Sequence, residues 1–357
     1  MAADLLHGAA LALLAGGGTP TAVARDAGYR SERAFALAFA RRFHAAPEAM
    51  RGWGKAGGYA IDYRGPFHLA ETLRYLGRDP NNLAERVEGR AYTRYFPVRG
   101  RPLLVTLAFG RSACRVTAPR PADPAAALLL HMVLRRFLGL EQPLAEFYAH
   151  VERHKVLGPL VLRLRGVRIP QLPTLWEALC WAVVGQQINL AFAYKLRNRL
   201  IALGNGADGY EGGAAPAAPL PFPGPEQVLR LTPAQLREHQ FSRQKASYLL
   251  GLARACAEGA IEESALRALP AGEAALLLRG HKGLGPWSVA YALMRGLGHP
   301  DALPIGDTGL RTALQRQFRL KEPPTPRRQE QLMEPLRPFR SLATYYLWKS
   351  LNAHAGD

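Results

Sequence analysis

Asp307, in LPIGDTGLR, stands about two dozen residues beyond a glycine-bearing turn, HKGLGP, that runs from His281 to Pro286. A carboxylate stabilises positive charge developing on carbon and can orient or deprotonate an attacking water. TGLRTAL follows Asp307, so the residue is equally placed to cap a helix N-terminus, and the two roles are compatible. Trp287 and Tyr291 follow the turn four residues apart, which puts them on one face of a helix. Trp348 lies further on, in RSLATYYLWKSLNA. Electron-rich rings attract a flat positively charged group, although in a core they would simply fill volume. In the turn, Gly283 and Gly285 permit φ values that a side chain forbids, and Pro286 suits a first helical turn. The amides at that helix start, with Lys282 alongside, make a phosphate-binding nest, while GxGP alone is also an ordinary structural turn.

The elements that must hold these groups fall into three segments. Residues 1–56 are rich in Ala and Arg with helical periodicity, and Gly54, Gly57 and Gly58 suggest a linker. Residues 57–121 contain AYTRYFPV and LLVTLAF, two strand-length runs with RGRP as the turn between them. ETLRYLGR, Glu71 to Arg78, reads as a short helix against that sheet. Residues 122–357 are helical almost throughout, with PTLWEALCWAVVGQQINLAFAYKLRNRLIAL as one long helical stretch and 204–225 as a Gly/Ala/Pro-rich surface loop. The expected fold class is α+β: a mainly helical body preceded by a small mixed sheet domain and a short N-terminal helix-turn-helix.

A hydrophobic content of 48% is enough for real cores in two or three domains. The formal net charge of +18 calls for a polyanionic partner, and nucleic acid fits better than an acidic membrane surface. Cys114, Cys180 and Cys256 lie far apart without CxxC spacing, which argues against a disulfide framework, a zinc site or a four-cysteine iron–sulfur cluster. No apolar run reaches the roughly 18–20 residues of a membrane span. AALALLAGGG lacks the basic region of a signal peptide, so a cytoplasmic protein is expected.

HKGLGPWSV with a following LPIGD resembles the helix-hairpin-helix of the base-excision DNA glycosylase superfamily, whose hairpin precedes a required aspartate. His281 stands for the usual leucine and Val289 for the usual alanine. RSLATYYLWKSL and WAVVGQQINLAFAYKLRNRLI extend the resemblance to the DNA-3-methyladenine glycosylase II, or AlkA-like, type from about Tyr59 to Asn352. The resemblance makes Asp307 the catalytic carboxylate and Trp287, Tyr291 and Trp348 an aromatic pocket for an alkylated purine. It makes Gln187 the wedge that fills the gap left by an everted nucleotide, with Gln186 bonding or packing nearby, and the hairpin at Lys282, Gly283 and Gly285 the grip on the DNA backbone. Thr308 departs from the aromatic that commonly follows the aspartate, which bears on substrate range, and Asn189 replaces a usual serine.

Glycosylases that also cleave the strand carry a lysine where this chain has Trp287, so the resemblance implies a monofunctional hydrolase that uses water. No cofactor is required; related hairpins can hold a structural monovalent cation. The implied partner is duplex DNA containing alkylated bases, bound by a monomer.

Near the N-terminus, Thr19 or Thr21 can cap a short helix, Ala27-Gly28-Tyr29 can turn, and Ser31 can cap a second helix with Phe35, Phe39 and Phe43 on one face. TPTAVARDAGYRSERAFALAFARRFHAAPEAMR resembles one helix-turn-helix of AraC-type transcriptional regulators, which carry two. Arg30 and Arg33 are then available for DNA. Two further functions remain in view: a DNA-binding regulator or non-catalytic damage sensor, and a bifunctional glycosylase/lyase acting on oxidised bases.

Overall fold

A computed structural model describes residues 2–51, 53, 58–63, 65–118, 123–207, 210 and 218–352. The fold is α+β, and the chain divides into two compact units, residues 1–64 with 85–135 and residues 65–84 with 136–357. These differ from the segments expected from sequence, because residues 65–84 leave the sheet segment for the helical unit and most of the helix Pro124–Phe137 joins the sheet unit. The linker expected at Gly54 and Gly57 lies outside the described residues.

The first unit holds an antiparallel sheet of β1 (Tyr59–Asp62), β2 (Glu85–Glu88), β3 (Ala91–Val98), β4 (Arg101–Phe109) and β5 (Ala113–Thr117), ordered β1-β5-β4-β3-β2. AYTRYFPV alternates as a half-buried strand should, with Tyr92, Arg94, Phe96 and Val98 buried. Val98 pairs with Arg101, leaving a two-residue turn at Arg99 and Gly100, both at positive φ as a type I′ hairpin requires. The same unit contains the helices Pro20–Asp26 and Glu32–Phe43. Thr19, rather than Thr21, caps the first by accepting from the Ala22 amide, and Ser31 caps the second by accepting from Ala34. Thr21 instead donates to Glu32 at 2.7 Å across the turn. Phe35, Phe39 and Phe43 are fully buried in one core with Ala127 and Leu128.

The second unit is helical. The run expected as one long helix breaks into Leu175–Val184 and Leu190–Gly204. The break follows from local chemistry: Gln187 takes φ +56, and the Asn189 side chain accepts from the Phe192 amide, capping a new helix. The helix expected over Glu71–Arg78 forms at Leu69–Leu76 and belongs to this unit, where Glu71 pairs with Lys349 and Tyr75 meets Tyr345. Buried hydrogen bonds tie the end of residues 65–84 to the helices, Arg197 donating to Glu177 at 2.9 Å and to Asn82 at 2.8 Å.

Downstream of the hairpin, the helix Pro286–Ala292 runs straight into a π-helical turn, Leu293–Leu297. Its carbonyls find partners outside the helix: Arg267 donates to Gly296 and Leu297, and the Leu172 amide donates to Arg295. A Cβ at Gly296 would lie 2.9 Å from Ala178 Cβ, so only glycine lets the turn pack on Leu175–Val184. Among the described residues, no helix is long and apolar enough to cross a membrane.

Candidate active site

The hairpin joins the helix Ala271–Arg279 to Pro286–Ala292. Gly283 sits at φ +90, and a Cβ there would fall 2.5 Å from the Tyr248 ring, so the position demands glycine on both counts. Gly285 does not bear out the same expectation. Its φ of −77 is open to any residue, and nothing lies within 4 Å of a Cβ there. Pro286 takes the first helical position, and no side chain caps that helix start. Lys282 projects to solvent from the turn.

Gln186 ties the hairpin to the helix break. Its amide donates to the Gly283 carbonyl at 2.7 Å and to Ser288 Oγ at 2.9 Å. Lys245, itself buried, donates to the Val184 carbonyl at 2.6 Å, where the preceding helix ends. Gln187, next in line, is exposed and held in the left-handed region.

Asp307 follows the loop after the π-helical turn and caps the helix Thr308–Gln317. Its Oδ1 accepts from the Leu310 amide at 2.7 Å and from Trp348 Nε1 at 2.9 Å, while Oδ2 accepts from Trp287 Nε1 at 3.0 Å. Residues separated widely in sequence are thereby gathered on one carboxylate. The capping and acidic roles are carried by the same side chain. Gly309 makes room for this, since a Cβ there would lie 3.1 Å from Asp307 Oδ1 and 3.3 Å from the Trp348 ring.

Trp287 stacks on Tyr291 with centroids 5.6 Å apart and planes at 26°. Tyr291 is only 8% exposed, so it backs the indole and does not itself form an open wall. Burial raises its phenol well above the ordinary range. Trp348 and Trp287 are half-buried and turn their N–H edges toward the acid.

Several neighbours were not singled out from the sequence. Tyr345 meets Trp348 edge-on at 6.4 Å and Tyr75 at 6.2 Å. Arg295 and Lys349 lie over those tyrosine faces, and Lys349 pairs with Glu71 at 3.0 Å. Burial, with the guanidiniums of Arg74, Arg295 and Arg78, pushes the Lys349 ammonium down to about 8, against the pull of Tyr75; Glu71 opposes that fall as well. The available signal was spacing, since Arg295 continues the stripe of Trp287 and Tyr291, and Lys349 lies four beyond Tyr345. Arg30 and Arg33 are exposed on the first unit. Among the described residues, no group of three His, Cys, Asp or Glu converges as a metal site.

Residues 180–338 match the family described as HhH-GPD superfamily base excision DNA repair protein, and residues 59–173 match the AlkA N-terminal domain. The chain is 29% identical over 289 residues to the DNA-3-methyladenine glycosylase of Bacillus subtilis (strain 168), covering 80% of this chain and 94% of that one. It is 30% identical over 201 residues to DNA-3-methyladenine glycosylase 1 of Schizosaccharomyces pombe, covering 56% of this chain and 82% of that one. Its fold is similar to that of a 3-methyladenine DNA glycosylase from Archaeoglobus fulgidus, with a TM-score of 0.68 at 21% identity over 81% of this chain and 97% of that one.

Proposed function

The chain belongs to the HhH-GPD superfamily of base excision DNA repair proteins, and from that membership we propose that it is a monofunctional glycosylase that everts alkylated purines from duplex DNA and hydrolyses their N-glycosidic bond, acting as a monomer. One observation carries the proposal: a single carboxylate, Asp307, is held at both oxygens by the indoles of Trp287 and Trp348.

In the reaction the bond from the sugar C1′ to the base nitrogen breaks heterolytically, and its electron pair leaves with the base. The sugar carbon becomes cationic, and a preorganised carboxylate stabilises that charge without reorganising. Water then adds at C1′ and gives up its proton through the same carboxylate, leaving an abasic site in an intact strand. A purine alkylated at N3 or N7 departs uncharged, so the leaving group needs little help. Its positive charge before cleavage favours a site lined by indoles.

A strand-cleaving reaction would need an amine at C1′. Trp287 occupies the position where a lysine would supply it, Lys282 is exposed in the turn, and Lys349 is buried in its pair with Glu71. A structural cation at the hairpin would meet backbone carbonyls, of which Gly283 O and His281 O each already accept a hydrogen bond; no step is routed through it. No cofactor enters.

The +18 charge supplies sequence-independent affinity for DNA. The Ser31-capped helix, with Arg30 and Arg33 exposed at its start, supports a further DNA contact by the first unit. The deciding experiment incubates the purified chain with methylated duplex DNA and measures free bases by chromatography. Release of 3-methyladenine and 7-methylguanine is expected, with strands that break only on alkali treatment and no adduct trapped by borohydride. Absence of released bases, or a trapped adduct, would overturn the hydrolase assignment.

A further inference from the structure

Arg295 lies one turn beyond Tyr291 on the same stripe, in the π-helical turn, and is 2% exposed. A buried guanidinium ordinarily sits against a carboxylate. Among the described residues, this one has none within ion-pairing distance. Its Nη2 donates to Tyr75 Oη, and its Nε has no partner. Its Cζ lies 4.7 Å from the Tyr75 ring and 5.9 Å from the Tyr345 ring, and Arg78 lies over the same Tyr75 ring at 3.9 Å. Burial raises the Tyr291 and Tyr345 phenols, so neither supplies a neutralising phenolate. The nearest carboxylate of this cluster, Glu71, is taken up by Lys349 at 3.0 Å and by Arg74. No carboxylate thus offsets the charge of Arg295, which stands behind the ring layer that backs Trp287 and Trp348.

We propose that Arg295 is a specificity-determining residue whose uncompensated charge shifts excision toward damaged purines that are uncharged in DNA, such as hypoxanthine, relative to cationic ones such as 7-methylguanine. The inference rests on the glycosylase assignment above and names the residue that tilts the site between cationic and uncharged lesions.

The reason lies in the electron balance of the reaction. Whatever the lesion, the base gains one unit of negative charge as the bond pair moves onto its nitrogen. An uncharged base goes toward an anion and is then protonated; a cationic base goes toward neutrality. The matching positive charge appears on the sugar and is held by Asp307, so a fixed positive charge behind the rings acts chiefly on the base and assists bond breaking in both cases. Only the cationic lesion, however, is repelled when it first enters. For that lesion weaker binding offsets faster cleavage, whereas the uncharged lesion keeps the whole gain.

A unit charge on the order of 10 Å away in a protein interior is worth about a tenfold change in an equilibrium or rate. Single-turnover release should be measured from duplexes carrying hypoxanthine or 7-methylguanine, at varied enzyme concentration, for wild type, Arg295→Lys and Arg295→Met. Arg295→Met should lower the hypoxanthine to 7-methylguanine ratio of cleavage efficiency about tenfold. For 7-methylguanine alone it should tighten half-saturation while slowing the maximal rate. Arg295→Lys, which keeps the charge, should hold the wild-type ratio within about threefold. Both lesions are assayed on one preparation, so an inactive fraction cancels from the ratio. If Arg295→Met does not fold, Arg295→Gln retains a donor for Tyr75 and gives the same comparison. An unchanged ratio without the charge would overturn this inference and leave the glycosylase assignment standing. Release of neither base by the wild type would overturn both.

Discussion

Asp307→Asn separates the two jobs that one carboxylate performs. Asparagine caps helices about as well as aspartate, so the bond from the Leu310 amide, 2.7 Å in the wild type, should persist. The oxygen that remains can also keep Trp348, whose Nε1 donates at 2.9 Å to the same Oδ1. The new amide nitrogen then faces Trp287 Nε1, a donor that was 3.0 Å from Oδ2, and that bond is lost. A hydrogen bond to a charged group is worth about 1.5–3 kcal/mol, and the half-buried indole can recover part of that from water. A net cost of about 1–2 kcal/mol follows, seen as a melting temperature a few degrees lower. Catalysis should suffer far more, because removing a preorganised electrostatic group costs about 100- to 1,000-fold. Single-turnover base release, corrected for folded fraction, measures the second effect, and circular-dichroism melting measures the first. Asp307→Ala should match the Asn variant in activity while losing about 2 kcal/mol more stability, through the missing cap and the lost Trp348 bond. An Asn variant that kept more than a tenth of the wild-type rate would show that Asp307 is only a cap.

Three further outcomes follow from the geometry. Gln187→Gly suits the positive φ of that position, so it should leave the melting temperature unchanged or slightly raised while slowing excision about tenfold through loss of the wedge; equal rates would remove Gln187 from the mechanism. Gly283→Ala forces a Cβ into the Tyr248 ring at φ +90 and should destabilise the hairpin by about 1–3 kcal/mol, with weaker duplex binding in gel-shift titrations; wild-type stability would contradict the close approach. Arg30→Ala with Arg33→Ala should make the slope of log binding constant against log salt shallower by about 2 if both contact phosphates, and an unchanged slope would leave the first unit out of DNA binding.

The sequence disclosed residue types well and orientations poorly. Asp307 was legible because a capping acid followed by an apolar-periodic run, at a set distance after a glycine turn, is a local pattern. The indoles were legible as aromatics near that acid, but not as donors to it. Which edge of a ring faces the carboxylate depends on packing against Tyr291 and Tyr345, and no local rule encodes that. The break at Gln187 was hidden for a different reason. VVGQQINLAF keeps an apolar pattern through the interruption, and only the positive φ and the Asn189 cap reveal it. The same cap accounts for asparagine at a position where a serine would serve equally.

Arg295 was the least legible residue of the site, and the cause is tertiary. Taken alone, YALMRGL reads as the end of an amphipathic helix with an arginine free to reach solvent. What buries it is the π-helical turn, whose end carbonyls take donors from outside the helix, Arg267 and the Leu172 amide. The burial also needs Gly296, which lets the turn close on Ala178, and Tyr75, which comes from a segment more than two hundred residues away in sequence. Charge at this position is therefore a consequence of the whole helical unit, while the backbone of Asp307 is placed by the helix that it caps. Substrate range in this site should accordingly change through distant packing substitutions that move Arg295 or Tyr75, even when Asp307 and both indoles are untouched.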